Sequence, residues 1–394
     1  VAFDRISRAD QSGEKMPYIP TGKKGKVKKA KFTDSLEIFY TLLGLLLIVP
    51  IFRNIPVWLN VLMNSSILIY LSGLLIINGV VEDTQETVTQ KDAMKFPLYG
   101  SAVLLGLFIV FKFVAKEYVN ALLSLYFLFL GLFALAEAIR PVVSRIRIQS
   151  LISKERKEKP FAYNFPIVNK KGTYVLKYCN LDVTCWSISL VFTVAYGITK
   201  AYLLNNLMGF AFCIEALTIM NLGSFKIGAI LLGGLFVYDI FWVFFTPVMV
   251  GVAKNLDAPI KLLFAQDIFA DPVKHSMLGL GDIVIPGAFL MLLLRFDQHM
   301  AKKGKKTKWY PYFHAGLVGY ILGLVLTWIA LVVFESAQPA LLYLVPTCLG
   351  SSLLTASIRG EMEDLLNFNV EVKRKVPVAT VQEEGEGENK DKSG

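Results

Sequence analysis

The chain of 394 residues is 54% hydrophobic and only 18% charged, with a formal net charge of +10. A soluble protein of this length would hold about two or three domains under a far more charged surface, so the composition excludes that class and indicates a polytopic membrane protein. The basicity does not point to nucleic acid either, because Lys and Arg cluster between apolar runs rather than along one amphipathic face, which is a topology signal.

Residues 1–35 are polar and end in a basic block (Lys23, Lys24, Lys26, Lys28, Lys29, Lys31) without hydrophobic periodicity. They are expected to be disordered, with the block near an anionic membrane surface. A multi-span domain is predicted over 36–358, opening with apolar runs at 37–53 and 57–81, each near the ~20 residues a bilayer core demands. The sequon Asn64-Ser65-Ser66 lies inside the second run and reads as unmodified helix. After the polar stretch Glu82 to Lys95, runs at 96–114 and 118–139 read as a helical hairpin with a very short turn at Lys116-Glu117.

The longest polar connection, Arg140 to Lys177, carries Arg140, Arg145, Arg147, Lys154, Arg156, Lys157 and Lys159 in its first half and is therefore predicted cytosolic. Runs follow at 183–204, 206–222, 225–250, 276–296, 313–335 and 338–357, with the basic connection of Lys302, Lys303, Lys305, Lys306 and Lys308 between the fourth and fifth of these. An even number of spans separates the two basic connections, so both fall on one side. The remainder, 359–394, is expected to be a disordered cytosolic tail. It ends Lys390-Asp391-Lys392-Ser393-Gly394, a K-x-K-x-x pattern that resembles a dilysine retrieval signal of the endoplasmic reticulum.

Cys179, Cys185, Cys213 and Cys348 lack metal-ligand spacing and read as small buried hydrophobes. His275, His299 and His314 are scattered and no H-E-x-x-H occurs, so no ligand set for a zinc protease is visible. No serine in the apolar runs has an obvious histidine partner.

Chemistry concentrates in Met277-Leu278-Gly279-Leu280-Gly281-Asp282-Ile283-Val284-Ile285-Pro286-Gly287, one carboxylate in an apolar surrounding. An intramembrane acid costs several kcal/mol of hydration, on the order of 2.5–3.5 on insertion scales, and normally faces a wet cavity. Gly279 and Gly281 strip side chains from around Asp282. A small-residue packing face, with the acid hydrogen-bonded to a neighbouring helix, is the plainer reading. A second acid, Asp239, lies in the preceding run within Leu235-Phe236-Val237-Tyr238-Asp239-Ile240-Phe241-Trp242. Placing the spans at 225–250 and 276–296 leaves the acids at unequal depths, ~16 Å and ~9 Å from their span ends. Either the second span starts earlier or Pro247 bends the first.

Two carboxylates sharing a site cannot both ionise cheaply, so one proton is held between them. The ionised acid can then take a proton from water while its partner donates to a scissile carbonyl; a proton or ion pathway uses the same pairing. The last run opens Gln338-Pro339-Ala340-Leu341-Leu342-Tyr343-Leu344-Val345-Pro346, with Pro339 suited to a first helical turn and Ala340 small enough for close backbone approach.

Tyr238-Asp239, Gly279-Leu280-Gly281-Asp282 and Pro339-Ala340-Leu341, in this order on the sixth, seventh and ninth spans of a nine-span core, resemble the GxGD intramembrane aspartyl proteases. The extended strings VYDIFWVF, MLGLGDIVIPG and QPALLYLVP look like the signal-peptide-peptidase branch rather than presenilin, and the likeness covers about residues 83–358, including Ala258 to Leu262. The resemblance implies an all-α, nine-span bundle without metal or organic cofactor. It implies Asp239 and Asp282 as the catalytic pair, and Tyr238, Gly279, Leu280, Gly281, Gln338, Pro339, Ala340 and Leu341 as residues that shape the site or hold substrate. It further implies type II transmembrane signal-peptide substrates, the lipid bilayer, a second copy of the chain and the degradation machinery of the endoplasmic reticulum as partners, and no nucleic acid. The sequence departs from that pattern in showing about ten apolar runs, the surplus lying before residue 82. The alternatives are a related protease of another compartment, a proton-coupled channel or transporter, for which no internal repeat is visible, and a binding protein that keeps the fold without cleaving.

Overall fold

The apolar runs form helices because a backbone in hydrocarbon must satisfy its own hydrogen bonds. The structure is a computed structural model that describes residues 38, 41–46, 56–77, 87–145, 161–164, 175–178, 180–256, 258–265, 275–304, 309–336 and 338–370. The helices are α1 (Val57–Ile77), α2 (Gln90–Phe113), α3 (Lys116–Arg145), α4 (Asn180–Thr199), α5 (Tyr202–Ile219), α6 (Phe225–Phe244), α7 (Val248–Asn255), α8 (Gly281–Lys302), α9 (Pro311–Phe334), α10 (Leu341–Arg359) and α11 (Met362–Leu366). All but α7 and α11 are long and apolar enough to cross a membrane, which makes nine such helices among the described residues. The expected all-α polytopic bundle is therefore the fold observed. The segment 1–35 and most of the run 37–53 lie outside the described residues.

Among the described residues, three short two-stranded sheets lie between the helices: β1 (Thr87–Val88) with β4 (Asn221–Leu222), β2 (Phe161–Asn164) with β3 (Val175–Tyr178), and β5 (Lys261–Ala265) with β6 (His275–Gly279). The β2–β3 hairpin stands in the connection read from sequence only as polar. The basic end of α3 stays helical through Arg140, whose guanidinium pairs with Asp182 of α4 at 2.8 Å. The turn before α3 falls at Val114-Ala115 rather than at Lys116-Glu117, because Lys116 already opens the helix. At the start of α2, Thr89 and Asp92 form a reciprocal capping box, which draws the helix into the stretch predicted as polar connection.

The core is built around α8. Ala288 through Leu294 are all but fully buried, as expected of a helix apolar on every face. α9 lies against it and against α10. A Cβ at Gly323 would come within 2.9 Å of the Leu344 Cα, so only glycine permits this approach. Cys185, Cys213 and Cys348 are buried, as read from sequence; Cys179 lies outside the described residues. Asn64 is fully buried within α1, consistent with an unmodified sequon.

The chain beyond 359 does not leave the bundle at once, which moves the expected domain end from 358 to about 370. Glu361 accepts from the Tyr312 hydroxyl at 2.8 Å and pairs with Arg359 at 3.0 Å. Leu365 and Phe368 are buried, and the Phe368 ring meets Phe296 of α8 edge-on at 5.2 Å. The Val370 N–H donates to the Gly223 carbonyl at 2.8 Å, just ahead of α6. This segment thus ties together the N-terminal end of α6, the C-terminal ends of α8 and α10 and the start of α9. Composition alone reads it as tail because Glu361, Glu363 and Asp364 mask its two buried apolar anchors, Leu365 and Phe368.

Candidate active site

Asp239 sits near the C-terminal end of α6, only 5% exposed. Its Oδ2 accepts the Leu341 backbone N–H at 3.0 Å. That donor is available because the first amides of a helix have no partner within it, and Leu341 is the first residue of α10. Pro339 lies two residues ahead of the helix, not in its first turn as predicted. Its carbonyl accepts the Leu342 N–H at 3.2 Å, and Ala340 takes the cap position. The motif therefore works through a main-chain donor, and a hydrogen bond from N–H to carboxylate is among the stronger kinds.

Asp282 is the second residue of α8, and the residues before it are strand. The predicted helix from 276 is corrected here. Met277 to Gly279 pair with Leu263 to Lys261, and the Leu280 N–H extends the ladder to the Ile260 carbonyl at 3.0 Å. α6 likewise ends at Phe244, since Pro247 cannot continue it, and α7 starts afresh behind that proline. Of the two options left open by the unequal depths, an earlier start of the second span is not found, since α8 begins at Gly281, later than 276 and behind a strand; the first span is instead interrupted ahead of Pro247 and is shorter than expected. Asp239 and Asp282 lie within electrostatic reach of each other.

A Cβ at Gly279 would lie 3.3 Å from Asp282 Oδ2, tighter than ordinary contact, so this glycine gives the carboxylate its room. At Gly281 the nearest atom would be Ile285 Cδ1 at 3.9 Å, so no close approach depends on it. Leu280 packs toward Gly209 of α5. Tyr238 faces α2: its ring covers Gly100 and neighbours Trp242 at 6.3 Å, and the Trp242 indole donates to Ser101 at 3.0 Å. Gln338 turns to its own loop, donating to Ser336 at 3.0 Å and accepting from Tyr343 at 3.4 Å. The structure thus brings together Asp239, Asp282, Gly279 and Leu341, with Tyr238 also within electrostatic reach of Asp239, while Gln338 bonds within its own segment.

Two residues that sequence reasoning missed hold the hairpin. The Asn206 side chain of α5 donates to the Leu263 carbonyl at 2.7 Å and accepts its N–H at 2.8 Å, pairing with β5 as a further strand would. Asn205 donates to the Lys261 carbonyl at 2.8 Å and accepts from the Tyr196 hydroxyl at 3.2 Å. Adjacent buried amides in a membrane-length helix were the available signal.

A family model described as signal peptide peptidase matches residues 80–372, a span that contains both acids, the hairpin, Leu341 and the segment closing at Val370. The chain belongs to the signal peptide peptidase family. The signal peptide peptidases of Mus musculus and Homo sapiens are each 40% identical to it, across 77% of this chain and 79% of theirs. Intramembrane protease 2 of Caenorhabditis elegans is 40% identical across 64% of this chain and 57% of its own. Family membership makes this a multi-pass intramembrane protease.

For such an enzyme the room at Gly279 has a measurable consequence. Gly279→Ala is expected to lower kcat about tenfold with KM little changed, since displacements well under 1 Å at reacting groups are costly. Steady-state kinetics check this. Unchanged kcat would show that the carboxylate does not need the space.

Proposed function

We propose that the chain is an aspartyl endopeptidase of the endoplasmic reticulum membrane that cleaves type II transmembrane segments such as signal-peptide remnants, with Asp239 and Asp282 as its catalytic pair. The observation that carries this reading is the buried hydrogen bond from the Leu341 N–H to Asp239, which places the opening of α10 at one acid while Gly279 leaves room at the other. In the proposed reaction one carboxylate removes a proton from water as its oxygen bonds to the scissile carbonyl carbon, and the protonated partner donates to the carbonyl oxygen. Collapse of the tetrahedral species breaks the C–N bond, and the amine leaves with a proton returned by the pair.

A helical substrate shields its own peptide bonds, so it must unwind before this can happen. The non-helical stretches beside both acids, β6 and Gln338 to Ala340, offer groups that replace the lost backbone partners. Even numbers of spans separate the ends of α3, α8 and α10, so the basic connections that follow α3 and α8 fall on one side with the residues after α10, and charge bias favours the cytosol for that side. Residence in the endoplasmic reticulum membrane rests on the resemblance to signal peptide peptidases. By resemblance the enzyme works there as a homo-oligomer beside the degradation machinery.

The test is cleavage of a type II signal-peptide substrate by the purified full chain in liposomes, across pH. Cut sites inside the apolar segment and a bell-shaped pH profile are expected. A folded protein that cuts none of several such substrates would sink the reading and make ion flux the next assay.

A further inference from the structure

A proline within a helix removes one amide, and the carbonyl four residues earlier loses its helical partner. In α8 that proline is Pro286, and the carbonyl is the one belonging to Asp282. A buried backbone oxygen is rarely left alone. Here the hydroxyl of Tyr320, on α9, donates to it across 3.4 Å. Tyr320 is completely buried, and Ser65 of α1 lies within hydrogen-bonding reach of the same hydroxyl.

The tyrosine is itself held in place. Gly316 lies four residues earlier on the same face of α9, where a Cβ would come within 2.9 Å of Leu293 of α8. Gly323, one turn later, seats α9 against Leu344 of α10. α10 is the helix whose first amide donates to Asp239. One connected set of contacts therefore runs from Asp282 through Tyr320 and α9 to α10 and Asp239.

We propose that Tyr320 is a positioning residue for the reaction: its O–H replaces the amide that Pro286 lacks, and so holds the first turn of α8, with Asp282 on it, in one setting relative to Asp239. The inference rests on the reading of Asp282 as one of the catalytic pair. A separation of 3.4 Å is long for this kind of bond. Hydrogen bonds in unliganded sites commonly tighten when substrate binds, and closure of this one draws the turn of α8 toward α9 as the site fills.

The pairing of a proline with an outside donor makes a sharp test, because removing the proline gives the carbonyl its helical amide back. Four forms of the full chain are compared in liposomes: the wild type, Tyr320→Phe, Pro286→Ala and the double variant. Tyr320→Phe keeps the ring and the packing. It is expected to lower kcat about tenfold, with KM changed less than about twofold. In the Pro286→Ala background the same substitution is expected to cost less than about twofold, since the donor is now supplied by the backbone. An equal loss in both backgrounds would mark Tyr320 as ordinary packing and overturn the proposal, as would no loss in the wild-type background.

Hydrogen exchange of the amides from 283 to 290 gives a readout that needs no turnover. Tyr320→Phe should speed exchange there, and Pro286→Ala should reverse the effect. That pattern in a protein whose wild type cuts no substrate would uphold the link between Tyr320 and the turn while removing the protease reading. Exchange that does not change on Tyr320→Phe would overturn the link itself.

Discussion

Asp239→Asn and Asp282→Asn are each expected to lower turnover on the order of 10⁴-fold, the upper end of what a single proton-transfer group contributes, while leaving the protein folded. An amide can neither take the proton from water nor give one to the carbonyl as an acid does, so neither role has a substitute in the other residue. Folding survives for a local reason. The side-chain oxygen of an asparagine at 239 still accepts the Leu341 N–H, and Asp282 makes its hydrogen bond to Tyr320 through the main chain. The measurement is kcat for a type II peptide substrate beside the thermal midpoint of each variant. Activity within about tenfold of wild type in either one would remove the aspartyl mechanism.

The second large effect is expected far in sequence from Asp239 and Asp282, at Asn206. Asn206→Leu preserves approximate volume but removes the buried side chain that partners both the N–H and the carbonyl of Leu263. Each orphaned group costs about 1–3 kcal/mol. Because β6 runs straight into Asp282, loosening β5 displaces the carboxylate as well as the hairpin. kcat/KM is expected to fall on the order of 10²-fold together with the thermal midpoint. Asn206→Asp, which keeps the acceptor and loses the donor, should fall between. Wild-type kinetics in Asn206→Leu would detach the hairpin from the site.

What could be read from the chain without coordinates follows from where the cost of a residue is local. An acid inside an apolar run is expensive wherever the run goes, so Asp239 and Asp282 stood out. Pro339-Ala340-Leu341 carried weight only by its order behind them, and its working part proved to be an amide that no side-chain pattern encodes. The strand at 275–279 was invisible because Met277, Leu278 and Leu280 run on into the apolar helix, and a short apolar run does not distinguish strand from helix. Its supports, Asn205 and Asn206, come from a helix more than fifty residues earlier. The role of Tyr320 was likewise hidden, since the missing donor at Pro286 is local but its replacement lies on another helix.

The amide that holds Asp239 is encoded 102 residues after it, and the segment that closes on Gly223 comes later still. Ribosomes deliver α6 and α8 to the membrane well before they deliver either. During that interval a nascent chain possesses both acids but not the neighbours that set them, amid newly inserted helices of its own and of other proteins. Order of synthesis therefore sets order of assembly: the amide that holds Asp239 and the segment that closes on Gly223 are among the last of the described residues to be made.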